Sequence, residues 1–346
     1  MKIATASDLR TLVIGAGSWG TALAAASSVN SNTLLWCRHQ DQAEHISLHH
    51  TNPRYLPDLP LPPSLQATHD EQLAIHFLAE QPNQALIILG VPVVAMRETV
   101  AHWYQLLSNQ QLSHIPIIWT CKGFEQSSGL LPHEVVKSVS LFPYYGVLSG
   151  PSFAKEVVQQ LPVALTIASH STVVKERTTQ VLHNHFCRIY QSDDIIGVEV
   201  GGALKNIVAI ACGIADGLGL GHNARAALIT RGLAEITRLG LAMGGHAQTF
   251  AGLTGLGDLV LTATGDLSRN RQVGLALAKG QTLSDIVASG ITAEGVRSAR
   301  DTFLRAQQLQ IDMPITQAVC HILFDNYPPT QAVHELLTRE AKPEIR

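Results

Sequence analysis

The chain is poor in charge and carries no field of one sign. Charged residues make up 15% of its 346 residues and the formal net charge is −3. Nothing in it favours a nucleic acid, and no charge run marks a disordered tail. Mean hydropathy is slightly positive, yet no uninterrupted apolar run reaches the length that spans a bilayer. The best candidate is broken by Glu199 and Lys205, so stable membrane insertion is not expected. The N-terminus sets Lys2, Asp8 and Arg10 around a few small residues and is not a secretory signal. Five cysteines, Cys37, Cys121, Cys187, Cys212 and Cys320, are odd in number and widely scattered. They read as reduced packing residues of a cytoplasmic protein, not a disulfide or zinc framework. His183, His185 and Cys187 could suggest a metal. Their spacing crosses a helix end and a strand start with no fourth ligand near, and there is no HExxH, so no metal is expected. Internal repeats and low-complexity tracts are also lacking.

What is present is length for two domains with ample core. In the first half, strands and helices alternate. Thr11–Ile14 is a short buried strand, followed by Gly15-Ala16-Gly17-Ser18-Trp19-Gly20 and then by a helix opening at Thr21. This is G-x-G-x-x-G between strand and helix. Gly15 allows the tight turn, Gly17 lets a pyrophosphate approach the backbone, and Gly20 lets the helix pack on its strand. The helix N-terminus faces the phosphates with N–H groups; a glycine-rich turn without ligand is the alternative. The second strand, 32–36, ends not in an acid but in Cys37-Arg38-His39. Arg38 can face a 2′-phosphate, which predicts that NADP is accepted along with NAD; a solvated arginine is the other reading. Residues 52–63 are a proline-rich, irregular but ordered excursion. Further strands are expected at 85–90, 115–121, 145–149, 163–168 and 187–190, with a helix near 172–184. Lys122 follows one strand end, at the crevice where ligands bind, or is a solvated loop lysine, and Ser152 follows another, free to donate a hydrogen bond.

From about residue 195 the strands stop and helices are expected over 203–219, 223–243, 272–279, 283–288, 295–308, 315–324 and 330–339. The fold class is therefore α/β: an N-terminal Rossmann-type doubly wound sheet, residues 1–194, and a C-terminal all-α domain, residues 195–346. The helix from Ala203 is apolar on every side, yet Lys205 sits near its start. A buried ammonium must pair, reach water along its stem, or lose its proton, so the lysine is either catalytic or snorkelling. Asn223 is read as the N-cap of the next helix. Phe250–Leu259 is a glycine-rich approach to one acid, Asp258. Ser268-Arg269-Asn270-Arg271 at a helix start is a dense anion site or a plain cap with exposed arginines. Glu294, in the first turn after Thr292 and Ala293, is explained by capping alone.

Taken together these stretches resemble the bacterial glycerol-3-phosphate dehydrogenases [NAD(P)+]. GAGSWGTALA, LSGPSFAKEV, GVEVGGALKNIVAIACGIADGLG, NARAALITRGLAE and GLTGLGDLVLTATGDLSRNR follow the family pattern in order over nearly the whole chain. The resemblance implies interconversion of dihydroxyacetone phosphate and sn-glycerol 3-phosphate with NADP or NAD, a homodimer, and a place at the start of phospholipid synthesis. It implies that Lys205 donates the proton in reduction and accepts it in oxidation. Lys122, Gly150, Ser152, Asp258, Ser268, Arg269 and Asn270 would hold the substrate. Ser18, Trp19, Arg38, His39, Lys122, Ala154, Arg269 and Glu294 would touch the cofactor. The chain departs from the pattern at Thr120-Cys121 and at Gly90, without loss of a charged group. Two other readings stay open. One is a related two-domain β-hydroxyacid dehydrogenase, which shares the Gly-Gly then Lys-Asn pattern but does not need Ser268–Arg271. The other is a cofactor-sensing protein without turnover, for which Lys205 and Asp258 would be an unexplained cost.

Overall fold

The computed structural model describes residues 8–126, 128–290, 293–340 and 343; Lys2 and Thr292, named above, lie outside them. The chain forms two compact units, Met1–Lys122 with Leu130–Glu199, and Gly123–Gly129 with Val200–Arg346.

In the first unit the strands are β1 (Arg10–Ile14), β2 (Asn32–Trp36), β3 (Thr51–Asn52), β4 (Leu56–Pro60), β5 (Gln66–Thr68), β6 (Ala85–Leu89), β7 (Ile117–Trp119), β8 (Tyr145–Ser149), β9 (Val163–Ala168) and β10 (Cys187–Ser192). The helices are α1 (Ser18–Ser27), α2 (Gln40–His49), α3 (Glu71–Ala79), α4 (Val93–Asn109), α5 (Pro132–Val139), α6 (Ala154–Val158) and α7 (Thr172–Leu182). Eight strands form one sheet in the order β10-β9-β8-β7-β6-β1-β2-β5. All pair in parallel except β8 with β9. The order reverses between β1 and β6, which opens the ligand crevice of a doubly wound sheet at their carboxyl ends. Alternate residues feed two cores. Leu12, Ile14, Ile87 and Leu89 face α3 and α4, while Val13, Leu35, Leu86 and Ile88 face α1 and α7. The proline-rich excursion is not irregular throughout, because β3 and β4 pair as an antiparallel ribbon within it.

A long helix, α8 (Ile195–Gly217), leads into the second unit. It starts eight residues before Ala203, where the sequence placed it. Asp194 caps it, its Oδ1 accepting the N–H of Gly197 at 2.8 Å. Gly197, Gly201 and Gly202 lie inside the helix. Gly201 is a site of close approach, not a break: a Cβ there would stand 2.7 Å from the carbonyl oxygen of Thr254, while one on Gly197 would meet the capping side chain of Asp194. Lys205 is thus three turns in. The helices that follow are α9 (Gly221–Ala242), α10 (Ala247–Ala251), α11 (Asp258–Thr264), α12 (Arg269–Ala278), α13 (Leu283–Ala288), α14 (Glu294–Gln308), α15 (Pro314–Phe324) and α16 (Pro329–Leu337). The N-cap of α9 is Leu220, so Asn223 lies within its first turn. Helix α8 is long and apolar enough to cross a membrane, but 94% of its most apolar window is buried in the fold. Ile207, Ile210 and Ile214 pack against Val273, Leu277, Ala299 and Ile315, which makes it the core helix of this unit.

Candidate functional site

The first unit builds a tight turn between β1 and α1 from glycine backbone. Gly15 follows β1 with φ of +108°, a conformation that L side chains rarely adopt. A Cβ on Gly20 would lie 1.9 Å from the Gly15 carbonyl oxygen, and one on Gly90 2.7 Å from the Gly20 Cα. Three glycines therefore close on one another at the ends of β1 and β6 and at the start of α1. Gly17 differs, because a Cβ there would meet nothing within 4 Å. It is the N-cap of α1 and supplies no side-chain cap, so the first N–H groups of the helix face the open side. The residues present fit the pyrophosphate of a dinucleotide. Gly90, read in the sequence only as a departure from pattern, belongs to this packing.

The turn is braced by residues that sequence reasoning missed. The buried Asn52 donates to the Ala16 carbonyl at 3.1 Å and to the Thr21 hydroxyl at 2.8 Å. Gln42 donates to the same Ala16 carbonyl at 2.9 Å, and Ser18 Oγ donates to the Tyr55 carbonyl at 3.0 Å. An Asn inside a proline-rich stretch carried no local signal of this contact. Arg38 and His39 stand exposed past β2, where an adenosine ribose reaches in this fold. Trp19 and Ala154 pack partly buried against the α1 side of the sheet. Strand β7 is shorter than expected, and Lys122 follows it by three residues. Gly150, after β8, has φ of +143°, and a Cβ would stand 2.9 Å from the Ala164 carbonyl oxygen; the backbone itself demands glycine. Ser152 Oγ donates to the Gly150 carbonyl at 3.2 Å.

In the second unit Lys205 is 6% exposed and Asp258 1%. The lysine does not snorkel. Its Nζ donates to Asp258 Oδ1 and, at 2.9 Å, to the hydroxyl of Thr262. That hydroxyl donates its own proton to the Asp258 carbonyl at 2.6 Å, so a lone pair faces the ammonium. The pair satisfies the demand of a charge in the core. Asp258 is delivered by a wide, π-helical turn, Leu253–Gly257, that runs straight into α11. The stretch read as a glycine-rich approach is therefore helical. Its Gly255 touches the Phe250 backbone, with 2.0 Å left for a Cβ. Thr262 sits four residues after Asp258, the helical spacing that puts both on one face.

Helix α12 lies against α8 along a glycine seam. A Cβ on Gly213 would lie 2.1 Å from the Arg271 carbonyl oxygen, and one on Gly274 2.1 Å from that of Ile210. The seam brings Asn270 to Asn206, Nδ2 donating to Oδ1 at 2.9 Å, while Asn270 Oδ1 accepts the Gly295 N–H at 3.0 Å. Asn206, another residue not singled out in the sequence, keeps a buried Nδ2 with no hydrogen-bond partner among the described residues. Ser268 caps α12 by accepting the Arg271 N–H at 3.2 Å, and Arg269, the first helical residue, is exposed. Arg271 is neither exposed nor aimed at an anion: it is held by Asp216 and Asp266. The four-residue anion site thus divides between a cap, an exposed guanidinium, a bracing amide and a structural arginine. Glu294, half-buried, opens α14.

Elsewhere, His183 Nδ1 accepts the Ile189 N–H at 3.1 Å, a backbone role for the histidine considered as a metal ligand. In the first unit a buried carboxylate, Glu199, accepts from the Trp119 indole at 2.9 Å and from the His133 N–H at 2.9 Å, and pairs with His133 Nδ1 at 2.6 Å. Burial pushes its carboxyl above the ordinary range, against the opposing pull of His133 and Trp119.

The chain is similar to known proteins over nearly its whole length. Residues 11–174 match the family described as NAD-dependent glycerol-3-phosphate dehydrogenase N-terminus, and residues 194–334 its C-terminus. A glycerol-3-phosphate dehydrogenase [NAD(P)+] from Burkholderia cenocepacia is 52% identical over 340 residues, 97% of this chain and 100% of the relative. The crystal structure of glycerol-3-phosphate dehydrogenase from Coxiella burnetii superposes with a TM-score of 0.86 at 41% identity, covering 96% of this chain and 99% of that one. The yeast enzyme gives 0.79 at 25% identity, over 96% and 99% of the two chains.

Proposed function

Because the chain belongs to the NAD-dependent glycerol-3-phosphate dehydrogenase family, we propose that it reduces dihydroxyacetone phosphate to sn-glycerol 3-phosphate, reversibly, with Lys205 as the proton-transfer residue. The observation that carries the reading is the buried ammonium of Lys205, compensated by Asp258 and oriented by Thr262. A bound NADPH or NADH supplies the hydride that forms the new C–H bond at the ketone carbon. The chain's own residues do the rest. Lys205 polarises the carbonyl oxygen and gives it a proton as negative charge develops there. The products are the alcohol and the oxidised cofactor, and Lys205 takes a proton back from water; oxidation runs the same steps in reverse. Asp258 balances the ammonium form of Lys205, and the carboxylate left alone after proton transfer draws the proton back onto the amine.

The substrate phosphate falls to Ser268, Arg269 and the second N–H of Asn270, with Lys122, Gly150 and Ser152 holding the remaining polar atoms. The unpartnered amide of Asn206 is a further donor. Phosphate contacts supply remote binding energy that positions the carbonyl. Gly15, Gly17 and Gly20 with Ser18 and Trp19 take the pyrophosphate of the cofactor. Arg38 and His39 take its adenosine end, and Ala154, Lys122, Arg269 and Glu294 complete its contacts. Self-association would use the exposed small residues of α9, Ala226, Ala227 and Thr230, as a homodimer. A cytoplasmic enzyme feeding phospholipid synthesis is the setting this chemistry supports.

The test is loss of nicotinamide absorbance on mixing the protein with NADPH and dihydroxyacetone phosphate. Turnover is expected, and Arg269→Ala should abolish most of it for the phosphorylated substrate. Equal activity of that variant, or a wild type that prefers an unphosphorylated hydroxyacid, would turn the reading towards a β-hydroxyacid dehydrogenase. Cofactor binding with no turnover on either substrate would leave a sensor.

A further inference from the structure

Among the charged residues that the motifs of the sequence leave outside the chemistry are Asp216 on α8, Arg225 on α9 and Arg271 on α12. They meet. Asp216 Oδ1 accepts from Arg225 Nε at 2.8 Å and lies 2.7 Å from its Nη2. Asp216 Oδ2 accepts from Arg271 Nε at 2.9 Å and lies 2.9 Å from its Nη2. Each carboxylate oxygen takes one guanidinium fork, and Arg271 Nη1 goes on to Asp266 at 3.0 Å. The Asp216 side chain is 7% exposed and that of Arg271 13%, so this is not a solvated surface pair.

We infer that Asp216 is a positioning residue for the phosphate end of the site, acting through Arg271 on the first turn of α12. The inference rests on the functional reading above. The reason lies in the seam between α8 and α12. Gly213 and Gly274 bring the two backbones into contact, and Ile207, Ile210 and Ile214 pack against Val273 and Leu277 beside them; apolar contacts are non-directional, so they set the distance between the helices more than the rotation of the polar first turn of α12. A planar fork held at two points on a buried oxygen is directional and charge-assisted, and it fixes that rotation. Arg271 is the third residue of α12, and its backbone N–H is the one that Ser268 caps. Fixing Arg271 therefore fixes Ser268 and aims Arg269, one turn edge away on the same helix. The cluster also spends its own charge: two acids, Asp216 and Asp266, offset two arginines, Arg225 and Arg271. The role of Arg271 is thus to hold the helix, and the ligand-facing guanidinium of the motif is Arg269.

The two arms of Asp216 give the control. Arg225 ties the same carboxylate to α9, which carries none of the phosphate residues. Steady-state kinetics with dihydroxyacetone phosphate and with unphosphorylated dihydroxyacetone, alongside melting temperature, separates positioning from plain structural support. Asp216→Asn and Arg271→Gln are expected to raise KM for dihydroxyacetone phosphate about tenfold or more, the order of loss that a small misplacement brings. Their kcat and their activity on dihydroxyacetone should stay within about threefold of wild type. Arg225→Gln should lower the melting temperature without moving KM for the phosphorylated substrate. Asp216→Glu, which keeps the charge, should restore part of the loss. An Arg225→Gln variant that raises this KM as much as Arg271→Gln would overturn the inference, as would a folded Asp216→Asn enzyme with wild-type KM. If Asp216→Asn does not fold, the contrast between Arg271→Gln and Arg225→Gln decides alone. Absence of wild-type turnover would bring down the functional reading itself, and this inference with it.

Discussion

In the first unit glycines packed on glycines at the ends of β1 and β6 leave the backbone at the start of α1 bare. In the second unit buried side chains are held by an ion pair and hydrogen bonds that join α8 to α11 and α12. A site made of backbone is set by steric exclusion, so it tolerates no added atom but needs no partner elsewhere in the sequence. A site made of buried charge depends on residues tens of positions away, and each group is costly alone. The two designs should therefore fail differently: the first by overpacking, the second by leaving a charge stranded.

The largest effect is expected at Lys205. Lys205→Ala should lower kcat by about 10²- to 10⁴-fold, the range for loss of a positioned proton donor, with NADPH affinity unchanged by fluorescence titration. It should also lower the melting temperature, because the buried carboxylate of Asp258 loses the ammonium that balances its charge. Adding Asp258→Ala should recover stability without recovering turnover. An alanine variant with near-normal kcat would sink the catalytic assignment, and no rescue of stability in the double variant would sink the charge-pair account.

The opposite design is probed in the glycine turn. Gly20→Ala places a methyl group 1.9 Å from a carbonyl oxygen; the overpacking should cost about 1–3 kcal/mol of stability and most of the affinity for cofactor. Gly17→Ala meets open space, so it should melt as wild type does and lose affinity for NADPH alone. Calorimetric titration and thermal melts on the two variants would sharpen the contrast; equal destabilisation of both would break it.

The same difference governs what the sequence disclosed. Strands β1, β2, β6, β8 and β9 were legible as short apolar runs with turn residues after them, and the G-x-G-x-x-G roles followed from local context. The antiparallel pairing of β8 with β9 was not, since an apolar run does not state its direction. Edge strand β5 and helices α3 and α5 were passed over because they are short, three, nine and eight residues, and so few residues repeat too few turns or pleats to stand out. In the second unit Lys205 was conspicuous because it breaks an apolar helix, and Asp258 because it ends a glycine-rich run. Thr262, Asn206 and Asp216 gave no such signal; their importance lies in partners 4 to 64 residues away. Gly201 misled for the same reason. A glycine that admits a neighbouring backbone looks, in sequence, like one that ends a helix.

The smallest effect tests whether a buried acid can be held by backbone instead of by a charge. Glu235 on α9 is buried and takes the place of a cap on α15. Its Oε1 accepts the Ile315 N–H at 2.7 Å, and its Oε2 accepts the Thr316 N–H at 3.1 Å and the Thr316 hydroxyl at 3.0 Å. Burial raises its carboxyl from the ordinary 4.5 to about 7, outweighing the pull of these donors and of Arg238. Because the folded value lies above the unfolded one, the stabilising contribution is complete below about pH 4.5 and is lost as pH rises through about 7. The loss is at most about 3 kcal/mol. Glu235→Gln should therefore flatten the fall in melting temperature between about pH 5 and 7, while lowering stability at the acid end, since an amide nitrogen cannot accept from Thr316. If Glu235→Gln keeps the wild-type slope, the carboxylate is ionised across that whole range, and the α15 backbone holds it as firmly as Asp258 holds Lys205.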